Sequence, residues 1–320
     1  MGSIAETLRP APYGSALHLP APYPEKTVFP LSLAASQHDT HIAHLVAEIE
    51  KLSSNGKLRA LLDEHGAIYF QNLGLRNADE FSRFAHAFGW TAHEDIGNPV
   101  RRTIHAKNVA TANEGPNTQP VYPHNEFGLS PHYPAYYCTK PLTLISQGVR
   151  YQLFYPNGPR DQTSSAGTTV LQAYGRTVLD SDDVDTARTK IEDEVKRLPT
   201  ARWVWENQSD SNPLGDLRVW QRLPAVRDHP RTREAAFFNN VVSRFLNAID
   251  AGTLQPPHIN NEGQYQPPAF YGDGSTIPRQ FLDSAVEIIK ETRALVSWKE
   301  GNVLLLDNHA VQHGREPWTG

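Results

Sequence analysis

The stretch Pro123-His124-Asn125-Glu126, together with His313 far downstream, decides how the rest of this chain is read. His124 and Glu126 stand two residues apart, so on an extended strand their side chains leave the same face. An imidazole beside a carboxylate makes two parts of a facial metal site. A second imidazole completes the two-histidine, one-carboxylate set that holds non-haem Fe(II) and leaves coordination positions open. His313 is the candidate third ligand. It follows Asn302-Val303-Leu304-Leu305-Leu306-Asp307, an apolar run with the signature of a buried strand. An H-x-E pair alone recurs by chance, so the flanking residues must decide.

Composition sets the bounds. The 320-residue chain is 39% hydrophobic and 20% charged, with a net charge of −5 and a pI near 6.3, the profile of an ordinary soluble globular chain. That balance gives no electrostatic footprint for nucleic acid. No apolar run approaches the ~20 residues that span a bilayer. The N-terminus lacks the regions of a secretory signal, and Glu6 stands where a myristoylation signal needs Ser or Thr. Cys138, the single cysteine, excludes a disulfide framework or a Cys-rich zinc site, and beside Ala135-Tyr136-Tyr137 it reads as a small buried hydrophobe. The expectation is a cytoplasmic protein whose partner is a small molecule, with no nucleic acid or membrane partner. A homo-oligomer stays open.

Periodicity and punctuation outline the elements. Residues 1–36 hold Pro10, Pro12, Pro20, Pro22, Pro24 and Pro30, which predicts an extended N-terminal arm, with a single domain over 37–320. Ile42, Leu45, Val46, Ile49 and Leu52 predict an amphipathic helix over 39–52, with His41 and His44 on its surface, and a second short helix ends before Gly66. Ala67–Phe70 reads as a strand, and Asn77 with Glu80 marks a helix start whose apolar face is Phe81, Phe84, Ala85 and Phe88. Strands are expected at Thr103–Val109, Tyr136–Cys138, Thr143–Tyr155, Arg202–Trp205, Leu217–Gln221, Leu295–Trp298 and Val303–Asp307. Helices are expected at Asp183–Arg197 and Phe237–Ile249, and from a Thr276 cap with Pro278 early and Phe281, Leu282, Ala285, Val286 and Ile289 buried. The acidic residues between Asp182 and Glu194 are interleaved with Lys190, Lys196 and Arg197, so a solvated helix face explains them better than a metal cluster. Many short strands with helices at one side argue for a mainly-β, α+β jelly roll.

Several of these stretches together resemble a known family. Pro-His-Asn-Glu at 123–126, Tyr136-Tyr137-Cys138, Phe237-Phe238-Asn239-Asn240, Gly301 to Asn308, and His313-Gly314-Arg315 are similar, in order and approximate spacing, to the TauD/TfdA group of Fe(II)/2-oxoglutarate dioxygenases. The likeness is greatest to its clavaminate-synthase-like branch, which carries Glu in the H-x-D/E motif. It runs from about Gly66 to the end of the chain. It implies a double-stranded β-helix in which His124, Glu126 and His313 hold Fe(II), with 2-oxoglutarate and O2 as cosubstrates. It aligns His313 as the distal ligand over His309, while Pro131 and Pro134 place His132 in a loop. Asp307 and Asn308 are candidates to orient the ligands.

The resemblance also defines departures. The family's Gly-Gly-Glu/Asp-Thr motif is missing where Pro141-Leu142 runs into Thr143-Leu144, and the arginine that salt-bridges 2-oxoglutarate normally lies beyond the distal histidine by more residues than remain before Gly320. The expectation is that a lid between Leu142 and Thr143 and a C-terminal tail belong to the natural chain. Arg315 is the nearby arginine on hand for the cosubstrate, and Tyr122, Asn125, Phe127, Arg150, Asn239 and Arg244 are candidate substrate residues. The resemblance implies oxidation of an unactivated C–H bond in a small, amino-acid-like substrate of secondary metabolism, by hydroxylation, desaturation or ring closure such as aziridine formation. A zinc hydrolase using the same triad is the metal-based alternative, although H-E-x-x-H is absent. No G-x-S-x-G supports a serine hydrolase. A non-catalytic β-barrel binding protein is the remaining alternative.

Overall fold

The strand β5 (Ala67–Gln71) anchors the fold. Ala67, Ile68, Tyr69 and Phe70 are each no more than 1% exposed, so both faces are covered and the sequence reads as a continuous apolar run. The computed structural model describes residues 7–13, 15–17, 27–36, 41–94, 96, 102–111, 116–129, 148–158 and 168–319.

β5 lies in a mixed four-stranded sheet with β1 (Leu8–Pro10), β4 (Leu31–Ala35) and β15 (Val303–Leu306), in the order β1-β4-β5-β15. β4 runs parallel to β5, and the other pairs are antiparallel. The proline-bearing N-terminal stretch thus supplies two of the four strands, and β2 (Ser15–Leu17) pairs with β3 (Thr27–Phe29) between them. Three helices cover this sheet: α1 (Ile42–Ser54), α2 (Lys57–His65) and α3 (Ala78–His86). Their apolar stripes, with Leu45, Ile49, Leu58, Leu62 and Phe84, share a core with Leu33, Ile68 and Phe70. Phe84 meets the rings of Phe70 and Phe88 edge-on at 5.4 and 5.6 Å.

A second, antiparallel sheet is built from β9 (Val149–Tyr155), β10 (Arg202–Glu206), β11 (Asp216–Leu223) and β14 (Phe270–Tyr271). Its strand order is β10-β11-β9-β14. The helices α4 (Val170–Tyr174) and α5 (Val184–Lys196) pack Val170, Ile191 and Val195 against Leu217 and Val219. α6 (Val241–Asp250) and α7 (Arg279–Thr292) contribute Phe245 and Leu282 to a third core with Val149 and Tyr151. Two-stranded pairs complete the described strands: β6 (Ile104–Ala106) with β7 (Val109–Ala110), β12 (Arg227–Asp228) with β13 (Ala235–Ala236), and β8 (Val121–His124) with β16 (His313–Arg315).

Among the described residues, seven helices and these several sheets make a mixed α/β architecture in which helices flank the strands. The helical stripes at α1, α3 and α5 fall where periodicity puts them. Asn77 caps α3 by accepting from Glu80 N at 2.9 Å, and Lys190 of α5 pairs with Asp182, just ahead of that helix, at 2.7 Å. Four local expectations are corrected. Thr103–Val109 is a hairpin, because Asn108 takes a left-handed turn at φ 55°. Phe237–Asn240 precede α6, since Asn239 and Asn240 are drawn into long-range hydrogen bonds. α7 buries only Leu282, leaves Phe281 53% exposed, and has Pro278 rather than Thr276 at its N-cap position. Leu295–Trp298 forms no strand, and both end residues stand more than 60% exposed. The strand expected at Tyr136–Cys138 and the junction at Leu142 and Thr143 lie outside the described residues. No helix among the described residues is long and apolar enough to cross a membrane.

Phe70 fills the centre of the first core, so Phe70→Ala removes an aromatic ring with no room for the sheet to collapse. A loss of about 3–5 kcal/mol is expected, read as a lower midpoint in urea unfolding.

Candidate metal centre

Two strands distant in sequence bring the ligand residues together. β15 leaves the first sheet, turns at Asp307–Val311, and returns as β16, which pairs antiparallel with β8 so that His313 lies opposite His124. The register shifts between His313 and Arg315, a bulge that re-aims the strand at this point. Two glycines permit the close approach. A Cβ on Gly314 would meet Val121 O at 2.5 Å. One on Gly66, which closes α2 at φ +68°, would meet Val311 Cγ2 at 2.8 Å.

His124, Glu126 and His313 each offer a donor atom within 4.8 Å of the other two. Glu126 Oε2 lies 3.2 Å from His313 Nε2 and 3.8 Å from His124 Nε2, and the imidazole centroids are 4.4 Å apart. A six-coordinate ion with bonds of ~2.1 Å separates neighbouring donors by roughly 3 Å, so this set fits a metal with little movement. His124 Nδ1 lies 2.8 Å from Tyr122 O, which fixes the proton on Nδ1 and leaves Nε2 a lone pair for the ion. Burial, then the neighbouring His313, pushes the His124 pKa down and keeps it neutral. The hydrogen bond from His313, aided by Arg102, holds the Glu126 carboxyl down at about 2 against the opposing effect of burial. His124 and Glu126 are therefore in the protonation states a cation needs.

A buried amide network holds the ligands in place. Asn125, 1% exposed, receives Asn239 N at Oδ1 (2.9 Å) and donates Nδ2 to Asn308 O (2.7 Å), while its own N–H donates to Asn240 Oδ1 (3.0 Å). Asn308 clasps the Glu126 main chain, accepting from its N–H at 2.8 Å and donating to its carbonyl at 2.9 Å. Gln312 Nε2 bridges Asn125 Oδ1 and Asn239 O at 3.2 and 2.9 Å. After Glu126 the chain turns through Phe127 at φ 55°, a left-handed conformation that costs an L-residue energy, with its ring 4.4 Å from His93.

The other sequence candidates fall into distinct places. Tyr122 donates its hydroxyl to Asp250 Oδ2 at 2.7 Å, tying β8 to the end of α6, and burial with that carboxylate raises its pKa to about 12. Asn125 and Asn239 belong to the amide network, where Asn239 Nδ2 also donates to Ala225 O at 2.8 Å. Arg150 and Arg244 converge on Gln152 of β9, the first at its side-chain oxygen (3.0 Å) and the second at its carbonyl (3.5 Å). Arg150 lies over the Trp220 ring, and Arg244 also donates to Pro267 O at 2.8 Å. Arg315 donates to Pro116 O and Gln119 O at 2.9 and 3.1 Å, which pins the turn entering β8. His309 is buried against Phe238, 5.1 Å between ring centroids, and His132 lies outside the described residues.

Arg102 is the neighbour that sequence reasoning missed. Its Nη2 lies 2.7 Å from Glu126 Oε1, and nothing in the spacing of Arg101-Arg102-Thr103 sets it apart from any other surface pair. A second carboxylate–histidine group, Asp63, His229 and Asp307, is built differently. Arg231 neutralises Asp63 at 2.7 Å, and His229 Nε2 lies 3.0 Å from Asp307 Oδ2. Asp307 Oδ1 also accepts His309 N at 2.9 Å, so this carboxylate closes the turn between β15 and β16. Burial is the largest influence on the Asp307 pKa and pushes it up, but the bond to His229, the charge of that ring and the His309 N–H together outweigh it and leave the pKa below the ordinary value.

Two outcomes follow from this geometry. Asn308→Ala, which strips the clasp from Glu126, should weaken metal binding about tenfold or more in a calorimetric titration. Asp307→Asn should lower stability by about 3 kcal/mol at neutral pH. A depressed carboxylate pKa stabilises the fold above the unfolded value and ceases to do so as pH falls through the folded one. The gap between Asp307→Asn and the parent in urea unfolding should therefore close in acid.

Comparison with known proteins relates much of the chain to one group. Residues 183–320 match the model of the taurine catabolism dioxygenase TauD, TfdA family. A clavaminate synthase-like protein of Arabidopsis thaliana is 25% identical over 281 residues, covering 82% of this chain and 80% of its own length. The dapdiamide synthesis protein DdaC of Enterobacter agglomerans is 25% identical over 300 residues, covering 86% and 85%. The crystal structure of PvcB from Pseudomonas aeruginosa overlaps loosely, with a TM-score of 0.41 at 15% identity over 99% of this chain and 89% of that one. The C-terminal segment that carries His313 is thus similar to the TauD, TfdA family of dioxygenases, and the likeness to the two relatives extends over most of the chain.

Proposed function

We propose that this chain is an Fe(II)- and 2-oxoglutarate-dependent oxygenase that oxidises an unactivated C–H bond of a small, amino-acid-like substrate. The carrying observation is the facing of His124 Nε2, His313 Nε2 and Glu126 Oε2, with the His124 tautomer set by Tyr122 O. Two neutral imidazoles and one carboxylate hold a dication on one face and leave the opposite face for a chelating 2-oxo acid and O2. O2 would be the oxidant, with the 2-oxo acid giving up two electrons as it is decarboxylated, a chemistry that iron supplies when bound; the protein supplies placement.

Charge favours anionic partners at this face. A dication among these ligands keeps one positive charge uncompensated, and the Arg102 guanidinium adds another beside it. Phe127, next to Glu126 in its left-handed turn and with its ring against His93, is the candidate wall of the substrate space. Arg315 remains the candidate for the cosubstrate's far carboxylate among the residues of β16. In this reading the β8–β16 pair is part of a double-stranded β-helix, and residues 37–320 form one catalytic domain. One relative is named for dapdiamide synthesis and the other is clavaminate synthase-like, which favours a small metabolite over a macromolecular substrate and a biosynthetic role.

Succinate release under O2, measured with Fe(II), 2-oxoglutarate and a panel of small amino acids, tests the reading. Substrate-dependent succinate is expected, with His124→Ala and His313→Ala losing both metal uptake and succinate. Phe127→Ala should keep 2-oxoglutarate turnover while changing the product ratio, since placement of the C–H bond sets the outcome. Zinc uptake with oxygen-independent hydrolysis would replace this reading with a hydrolase on the same triad. Absence of any metal uptake would replace it with a binding protein.

A further inference from the structure

We infer that Arg102 is a positioning residue that keeps Glu126 a one-oxygen ligand and so preserves the coordination positions on which the chemistry depends. This rests on His124, Glu126 and His313 being metal ligands. The main chain of Glu126 is fixed by the Asn308 clasp, but that clasp does not reach the carboxylate. The last torsion of a glutamate is broad and roughly two-fold, so the rotamer alone cannot settle which oxygen faces the metal or whether both do. Hydrogen-bond partners must settle it, and the two oxygens have different ones. Oε2 faces the imidazoles, at 3.2 Å from His313 Nε2 and 3.8 Å from His124 Nε2. Oε1 accepts from Arg102 Nη2 at 2.7 Å, the short distance of a charge-assisted bond.

The guanidinium is itself held in place rather than free in solvent. Its side chain is 29% exposed, and its Nε is buried with no hydrogen-bond partner among the described residues. An arginine that followed solvation alone would turn that donor to water; this one keeps its place on Oε1. Arg102 also lies just before β6, whose pairing with β7 limits how far the residue can move.

The consequence is specific. With Oε1 occupied, Glu126 gives the ion one oxygen, and a facial set of three leaves room for a two-toothed 2-oxo acid. Without Arg102, the carboxylate can turn and offer both oxygens, adding a ligand atom where the 2-oxo acid must bind.

The test uses Co(II) as a spectroscopic probe in the full chain, comparing the parent with Arg102→Gln and Arg102→Lys. The d–d absorption reports ligand number, and subsequent titration with 2-oxoglutarate reports the open positions. All three proteins should take up one Co(II) that His313→Ala abolishes. Arg102→Gln should show a weaker, shifted d–d band and bind 2-oxoglutarate about tenfold more weakly. Arg102→Lys, which still offers a cationic donor to Oε1, should restore both toward the parent. The band is read from the metal-loaded folded fraction, so a lower melting temperature does not remove the readout. A parent chain that takes up no Co(II) overturns the metal reading and this inference with it. A parent that binds, with Arg102→Gln unchanged in spectrum and 2-oxoglutarate affinity, overturns the role of Arg102 alone. So does an Arg102→Gln variant that only raises the KM of the organic substrate.

Discussion

The arrangement depends on one buried amide, the side chain of Asn125. It sits between two metal-ligand candidates and joins three segments that share no local sequence relationship: the end of β8, the Asn239-Asn240 turn before α6, and the Asn308–Gln312 turn between β15 and β16. A buried amide with unmade bonds costs free energy that scales with how well water is excluded. At 1% exposure this group is well excluded, so the three segments are locked together or the fold is penalised. The lock sets where His313 lands opposite His124. Ligand geometry is thus a by-product of satisfying a buried polar network.

The surroundings of the ligands then divide the work of pre-organisation. Asn308 holds the Glu126 backbone, Tyr122 O holds the His124 ring, and Arg102 meets the free end of the carboxylate. Each acts on a different degree of freedom: chain position, ring tautomer and carboxylate rotation. The neighbouring group of Asp63, His229 and Asp307 shows the contrast. There the carboxylates are consumed by Arg231, by His229 and by backbone donors, and the product is a closed turn. Similar residue types make a ligand set in one place and a structural brace in the other. The partners decide which.

Much of this is legible from the chain alone. The helices α1, α3 and α5 and the strands β5, β11 and β15 stand where local periodicity and caps put them, because each carries its own apolar face. The failures share a cause. α7 has an apolar stripe as regular as the others, yet buries only Leu282, since nothing local says how much partner surface a helix will meet. Leu295–Trp298 is apolar without being paired. Phe237–Asn240 reads as helical because its apolar spacing continues into α6, but Asn239 and Asn240 are spent on partners 114 and 89 residues away.

The sequence by itself determined which residue types could hold a metal and how they are presented. The two-residue spacing of His124 and Glu126 and the apolar strand before His313 are properties of short windows, governed by strand period and burial. Only tertiary structure decided the remainder: that His309 turns into the core against Phe238 while His313 faces Glu126, and that Asn125 and Asn239 bind the chain to itself. It also selected Arg102, 24 residues from Glu126, as the one among the described arginines that meets its carboxylate. These are pairings between segments as far as 187 residues apart, as from Asn125 to Gln312. They are chosen by which buried donors and acceptors can satisfy one another in three dimensions, and no local rule encodes that choice.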